Sequence, residues 1–180
     1  MGILQLIETP TKESGLLEWI LFLATKYSST FLKATWVTLY IAVIGTILGF
    51  LLGFLIGVIN TTKISPEDGP VKKCLFRFAK AIAMIYMEVF RDTPMIVQGM
   101  VIYYGLRQGD VLITSAIAGI LVTLLNTGAY MGETVRGGIN SVDPGQKEGA
   151  LAMGMSHTGA MFYVVIPQAL KNIFPEKTHI

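Results

Sequence analysis

Between Ala34 and Thr62 the chain reads ATWVTLYIAVIGTILGFLLGFLIGVINTT, without one charged residue. A soluble domain cuts its apolar runs to the length of a core helix or strand, so a run this long points to lipid as the solvent. Within it, Thr35 to Ile59, about 25 residues, covers the roughly 30 Å hydrocarbon layer at 1.5 Å per residue. A helix is the form expected there, because it satisfies all its backbone hydrogen bonds within one segment. Composition agrees. Charged residues make up 14% of the chain, against roughly 25% in ordinary soluble domains. Apolar residues reach 52% and the mean hydropathy is +0.59.

Three further regions complete the expected organisation. Ala81 to Leu106 is long enough to cross but carries Glu88, Arg91, Asp92 and Pro94, which predicts a broken helix. Val111 to Gly132 is again uncharged and predicts another span. Glu18 to Lys33 mixes apolar residues with Lys26, Ser28, Ser29 and Lys33, which suits an interfacial amphipathic helix. The loop NTTKISPEDGPVKKCLFRFAK carries Lys63, Lys72, Lys73, Arg77 and Lys80, and the positive-inside tendency puts it in the cytoplasm. RQGD (107–110) then forms an outer turn, and Pro144 to Leu170 returns to the cytoplasmic side. The N-terminal MGILQLIETPTKESG has no basic stretch leading into an apolar one, so no cleaved signal peptide is expected. The expected division is an extracytoplasmic or interfacial segment over 1–33 and a transmembrane domain over 34–180.

Several functions are disfavoured by what the chain carries. A net charge of +2 and a pI near 8.6 are too mild to imply nucleic acid, and the lone Cys74 excludes an intramolecular disulfide. There is no glycine-rich phosphate loop ending in Lys-Ser/Thr, no His-Glu-x-x-His and no Cys/His cluster. His157 and His179 have no partner ligands nearby in sequence. Ser156 beside His157 lacks the Gly-x-Ser-x-Gly elbow of a nucleophile. No cofactor, metal or catalytic residue is therefore assigned, and the methionines and tyrosines of the spans are read as packing.

Two patterns bear on packing and binding. Gly45, Gly49, Gly53 and Gly57 repeat at i+4, giving one helix face without side chains against which another helix can pack closely; a face that slides during a cycle is the alternative to static packing. Arg77, Lys80, Met84, Glu88 and Arg91 fall at steps of three or four, a mostly polar stripe that should face protein or water. Asp92-Thr93-Pro94 suits a helix restart, with Asp92 or Thr93 capping and Pro94 in the first helical position. A helix N-terminus inside the bilayer attracts anions and would suit a substrate's carboxylate, with Arg91, Thr93 and Gln98 beside it and Asn126, Tyr130 and Glu133 facing the same substrate cavity. Asn126, Tyr130 and Glu133 share one face of the later span, with Glu133 available to an ammonium group. The alternative is architectural: Arg91 pairs with Glu88 or Asp92, and Glu133 with Arg136.

After Asp143-Pro144-Gly145, a sharp turn, Gln146 to Met153 predicts a short helix, with Gly154 suited to a left-handed cap. Leu151 and Met155, spaced i,i+4, offer apolar knobs, and Lys147 and Glu148 polar contacts. Glu148-Gly149-Ala150, Gly154 four residues on, and Val164-Val165-Ile166-Pro167 resemble the EAA signature of ATP-binding-cassette importer permeases, with Gly149 for the first Ala, Val164 for Ile and Ile166 for Leu. TWVTL (35–39), EVFRDTPMIVQ (88–98) and NTGAYMGETVRGGINSVDPGQKEGA (126–150) resemble the polar amino-acid, histidine/glutamine-type branch, and the resemblance runs from about Ser29 to Asn172.

This resemblance implies an all-α, multi-pass bundle of the type I importer permease fold in a bacterial plasma (inner) membrane. It implies a second permease subunit, the same or paralogous, and an extracytoplasmic amino-acid-binding protein. It also implies separate ATPase subunits, into which a helix carrying Gln146, Glu148, Gly149, Ala150, Leu151 and Gly154 docks. Such permeases continue through further apolar helices where this chain reads KNIFPEKTHI, so a truncated fragment or a shifted frame near Phe174 is expected. A membrane scaffold of permease-like shape is the alternative function. A channel is disfavoured, since no filter-like repeat is present.

Overall fold

The structure, a computed structural model, describes residues 9–11, 14–62 and 69–173, all helix or connecting turn; Lys63 of the basic loop, the first eight residues and the polar tail from Phe174, with His179, lie outside the described residues. The elements are α1 (Leu16–Lys26), α2 (Ser28–Thr61), α3 (Pro70–Asp92), α4 (Met95–Gln108), α5 (Ser115–Asn140), α6 (Pro144–Ala152), α7 (His157–Ala160), a wide π-helical turn (Met161–Val165) and α8 (Ile166–Ile173).

Three boundaries differ from the sequence expectation, one of them at Pro70, where α3 begins, so that Pro70 to Lys80 of the expected basic loop are helical. The interfacial helix ends at Lys26, Tyr27 leaves helical geometry, and Ser28 to Lys33 form the first turns of α2. At 34 residues α2 is about 51 Å long. It therefore outruns the hydrocarbon, and its first turns can carry Ser28, Ser29 and Lys33 where water hydrates them. The later span begins at Ser115, whose N-cap Thr114 accepts a hydrogen bond from the Ile117 N–H, and it continues to Asn140.

The helix pair α2–α5 is the spine of the fold. All four ridge glycines are buried, and a Cβ added to them would collide with α5: 2.6 Å from the Thr123 Cβ at Gly45, 2.7 Å from the Thr127 Cβ at Gly49, 2.5 Å from the Gly128 carbonyl oxygen at Gly53, and 2.6 Å from the Val135 Cβ at Gly57. Both helices advance together from contact to contact, so they run parallel. Away from α5, α2 exposes Leu39, Val43, Ile47, Leu51 and Leu55, a continuous apolar face that suits acyl chains and not water. Only α2 and α5 are long and apolar enough by themselves to cross a membrane, among the described residues.

The densest packing lies at one end of the spine, where Val135, Ile139 and Val142 meet Met161, Val165, Ile166 and Ala169. The helical run 157–173 passes through Pro167 without stopping. A proline ring clashes with the carbonyl four residues earlier, here Tyr163, and that residue lies in the wide turn Met161–Val165.

Candidate functional site

The predicted helix break is present, and its geometry differs from the expected restart. α3 ends at Asp92, Thr93 is its extended C-cap, and Pro94 is itself the N-cap of α4, with no side-chain cap bond. The Thr93 hydroxyl donates backwards to the Val89 carbonyl at 2.7 Å. Neither Asp92 nor Thr93 caps α4.

A helix leaves its last four carbonyls without backbone donors, and here side chains supply them. Gln98, one turn into α4 and 7% exposed, donates through Nε2 to the Phe90 carbonyl at 2.8 Å, the Thr93 carbonyl at 3.0 Å and the Thr93 hydroxyl at 2.8 Å. Asn126 Nδ2 on α5 reaches the Phe90 carbonyl at 3.3 Å and Gln98 Oε1 at 3.4 Å. The Tyr130 hydroxyl donates to the Arg91 carbonyl at 3.3 Å. Thr93, Gln98, Asn126 and Tyr130, expected around a substrate, thus direct polar groups at the backbone of the break.

The charged members gather one turn further along α5. Arg136 holds Glu133 from two sides, Nε to Oε2 at 2.9 Å and Nη2 to Oε1 at 2.5 Å. Arg91 Nη1 reaches the same carboxylate at 3.5 Å and stands 5.9 Å from the Tyr130 ring centre. Arg91 therefore pairs across to α5 and not with Glu88 or Asp92. The cluster holds two guanidiniums for one carboxylate, with Arg91 36% and Glu133 28% exposed at the side chain. In the lower stripe Arg77, Met84 and Glu88 are exposed, while Lys80 donates to the Thr62 carbonyl at 2.5 Å and so caps the end of α2.

Depth follows from the spine. Thr127 lies against Gly49, twelve residues before the end of α2 at Thr61, so the break sits about 18 Å along the helix from that end. Asn126 projects from mid-spine, and Tyr130 and Glu133 lie about 6 and 10 Å further toward that end.

At the end of the spine stands α6. Asp143 Oδ1 accepts from the Gly145 N–H at 2.7 Å and Pro144 occupies the first helical position. At its other end Gly154 has φ +86°, with Gly154 N–H bonded to the Leu151 carbonyl at 2.9 Å and Met155 N–H to Ala150 at 3.2 Å, the double bond pattern of a Schellman cap. Ala150 is buried, while Gln146, Glu148 and Gly149 are exposed, with Gln146 Oε1 accepting from Gln168 Nε2 at 3.2 Å. The cap places Met155 beyond the helix, so it does not continue the Leu151 face. Leu151 instead lines a cavity of about 310 Å³ with Thr61, Asn140, Glu148 and His157. The exposed apolar side chain is Met153, the C-cap residue of α6, at 80%, which the i,i+4 pattern missed. No cluster of three or more His, Cys, Asp or Glu suited to a metal occurs among the described residues.

Residues 75–176 match the family described as binding-protein-dependent transport system inner membrane component. The arginine transport system permease protein ArtQ of Bacillus subtilis is 43% identical over 95 residues, covering 52% of this chain and 43% of that protein. The glutamine transport system permease protein GlnP of Escherichia coli is 36% identical over 99 residues, covering 54% and 45%. The matched part thus spans less than half of those relatives. A solved structure described as an amino acid ABC transporter with histidines aligns over 84% of this chain and 65% of that one, at a TM-score of 0.68 and 38% identity.

Proposed function

The chain belongs to the binding-protein-dependent transport system inner membrane component family, and we propose that it is a permease subunit of an ATP-driven importer of polar amino acids. ATP is hydrolysed by separate subunits, substrate arrives on an extracytoplasmic binding protein, and a second permease, the same or paralogous, completes the path through a bacterial inner membrane. The observation that carries this reading is α6, a helix fixed at both ends by Asp143 and Gly154, seated beyond the spine, with Gln146, Glu148 and Gly149 exposed. Such a rigid handle transmits an ATPase movement to the helices packed behind it.

The topology supports the same reading. Parallel α2 and α5 need one return crossing between them, and α3 and α4 together provide it, leaving the basic loop and α6 on one side, the cytoplasm. The translocated amino acid passes the mid-spine break. Arg91 and Glu133 are the groups placed to meet it, because Thr93, Gln98, Asn126 and the Tyr130 hydroxyl are engaged with backbone. Relatives named for arginine and glutamine transport support amino acids as the cargo class.

The test is uptake into proteoliposomes holding the chain with its ATPase, partner permease and binding protein. ATP-dependent accumulation of L-glutamine or L-arginine is expected. Glu148→Lys and Gly154→Val should leave insertion intact while ATP hydrolysis no longer drives uptake; a valine at φ +86° is strained. Normal coupling in both variants would remove α6 from this role.

A further inference from the structure

We infer that Gln98, assisted by Asn126, is a positioning residue: its side-chain amide replaces the backbone N–H that Pro94 lacks, and so holds the mid-spine break open without touching the transported molecule. In a continuous helix the Phe90 carbonyl would accept from the N–H of residue 94. Proline has none, so the carbonyl is orphaned by sequence and must find a donor elsewhere. The structure puts two side-chain donors on that oxygen, Gln98 Nε2 at 2.8 Å and Asn126 Nδ2 at 3.3 Å. Gln98 also serves the Thr93 carbonyl, three residues further on, at 3.0 Å.

The amide orientation is dictated by these partners, since both backbone acceptors require the nitrogen and the opposite oxygen takes the Asn126 contact. Turning Gln98 toward a ligand would take the side-chain donor from the Thr93 carbonyl and leave Phe90 with only the longer Asn126 contact, and at 7% exposure the side chain has little surface to offer one. The proline and the glutamine form a single device: one removes a donor to break the helix, and the other restores it from four residues downstream. Because Arg91 follows Phe90 directly, the same bonds set where its guanidinium meets Glu133.

The transport arm of the test rests on the proposed importer function; the structural arm does not. In the assembled transporter in nanodiscs, amide exchange over residues 88–98 should accelerate about tenfold or more in Gln98→Leu, as a cooperative local opening becomes easier. Pro94→Ala in the same chain supplies the missing N–H and lets α3 continue, so Pro94→Ala/Gln98→Leu should return exchange to within about twofold of the parent. Transport should not return with it, because the break is gone. If Gln98→Leu fails to assemble, recovery of assembly in the double variant is the same readout. In L-glutamine uptake, Gln98→Leu should lower kcat with KM within about twofold, as for lost positioning and not lost contact. A double variant that opens as readily as Gln98→Leu, or a large rise in KM with unchanged exchange, would overturn the assignment. Absence of uptake by the parent would count against the importer reading and leave the exchange comparison standing.

Discussion

Glu133 is the residue on which the charge balance of the membrane-embedded face turns. Its carboxylate is shared by Arg136 on its own helix and Arg91 across the interface, and with the side chain 28% exposed the pair lies between the surface and buried limits. Removing one partner of a buried pair costs about 3–5 kcal/mol, while an exposed pair is worth about 0–1. Glu133→Gln should therefore destabilise the chain by about 1–3 kcal/mol, and uptake should fall while basal ATP hydrolysis persists. Arg136→Gln should cost less, because Arg91 still meets the carboxylate. Combining the two should cost less than the sum of the single changes, since the second relieves part of the unbalanced charge left by the first. Thermal unfolding of the four proteins in detergent measures this coupling, and strict additivity would mean that the three groups act independently. The pairing of Glu133 with Arg136 was legible from their spacing of three on one helix. That Arg91 joins them was not, because its nearest acids in sequence, Glu88 and Asp92, offered equally plausible local partners.

At the level of elements, the glycine ridge decides how close two helices come. A Cβ at Gly53 would sit 2.5 Å from the Gly128 carbonyl oxygen and 2.8 Å from the Gly132 nitrogen, backbone atoms that cannot rotate aside. Gly53→Ala must therefore push α2 and α5 apart, at a cost of about 1–3 kcal/mol. Gly105, on α4, has nothing within 4 Å of an added Cβ. Gly105→Ala should be neutral or stabilising by up to about 1 kcal/mol through helix propensity. Thermal stability of the two variants separates the readings, and equal effects would show that the close approach carries no energy. The i+4 repeat alone announced a close contact. Its partner and direction were hidden, because a ridge without side chains says nothing of whether the facing helix runs up or down. Only the reciprocal small residues Gly128 and Gly132 on α5, spaced by four as well, hinted at it. The α6 caps were legible in full, since Asp-Pro-Gly and a terminal glycine act locally. The helical path through Pro167 was not, because it depends on a wide turn that only packing by Met161 and Val165 selects.

For the whole molecule, parallel α2 and α5 put their C-terminal ends together: Thr61 and Asn140 line one cavity with His157, while Ile41 meets Tyr103 and Ser115 around another toward the opposite end. Single cysteines at Thr62, Gln108 and Ser156 in a Cys74→Ser background should then label from two sides. Thr62 and Ser156 should react with impermeant reagent only from the cytoplasm, and Gln108 only from outside. Outside labelling at Ser156 would overturn the topology. What the residues determined unaided is what local chemistry determines: which segments prefer lipid, where proline must break a helix, where glycine ends one, and that one face of the first span has no side chains. What only the tertiary structure decided is who answers the groups those local features leave open. The carbonyl orphaned by Pro94 is met by Gln98 and Asn126 from two other helices, and the Glu133 carboxylate is claimed by Arg91 from a third. Asn126 and Arg91 are distant in sequence from the groups they meet, and an amide or a guanidinium carries no local mark of the acceptor it will find. Their assignment waits on the parallel packing of α2 and α5, which sets the depth at which every other helix must meet the spine.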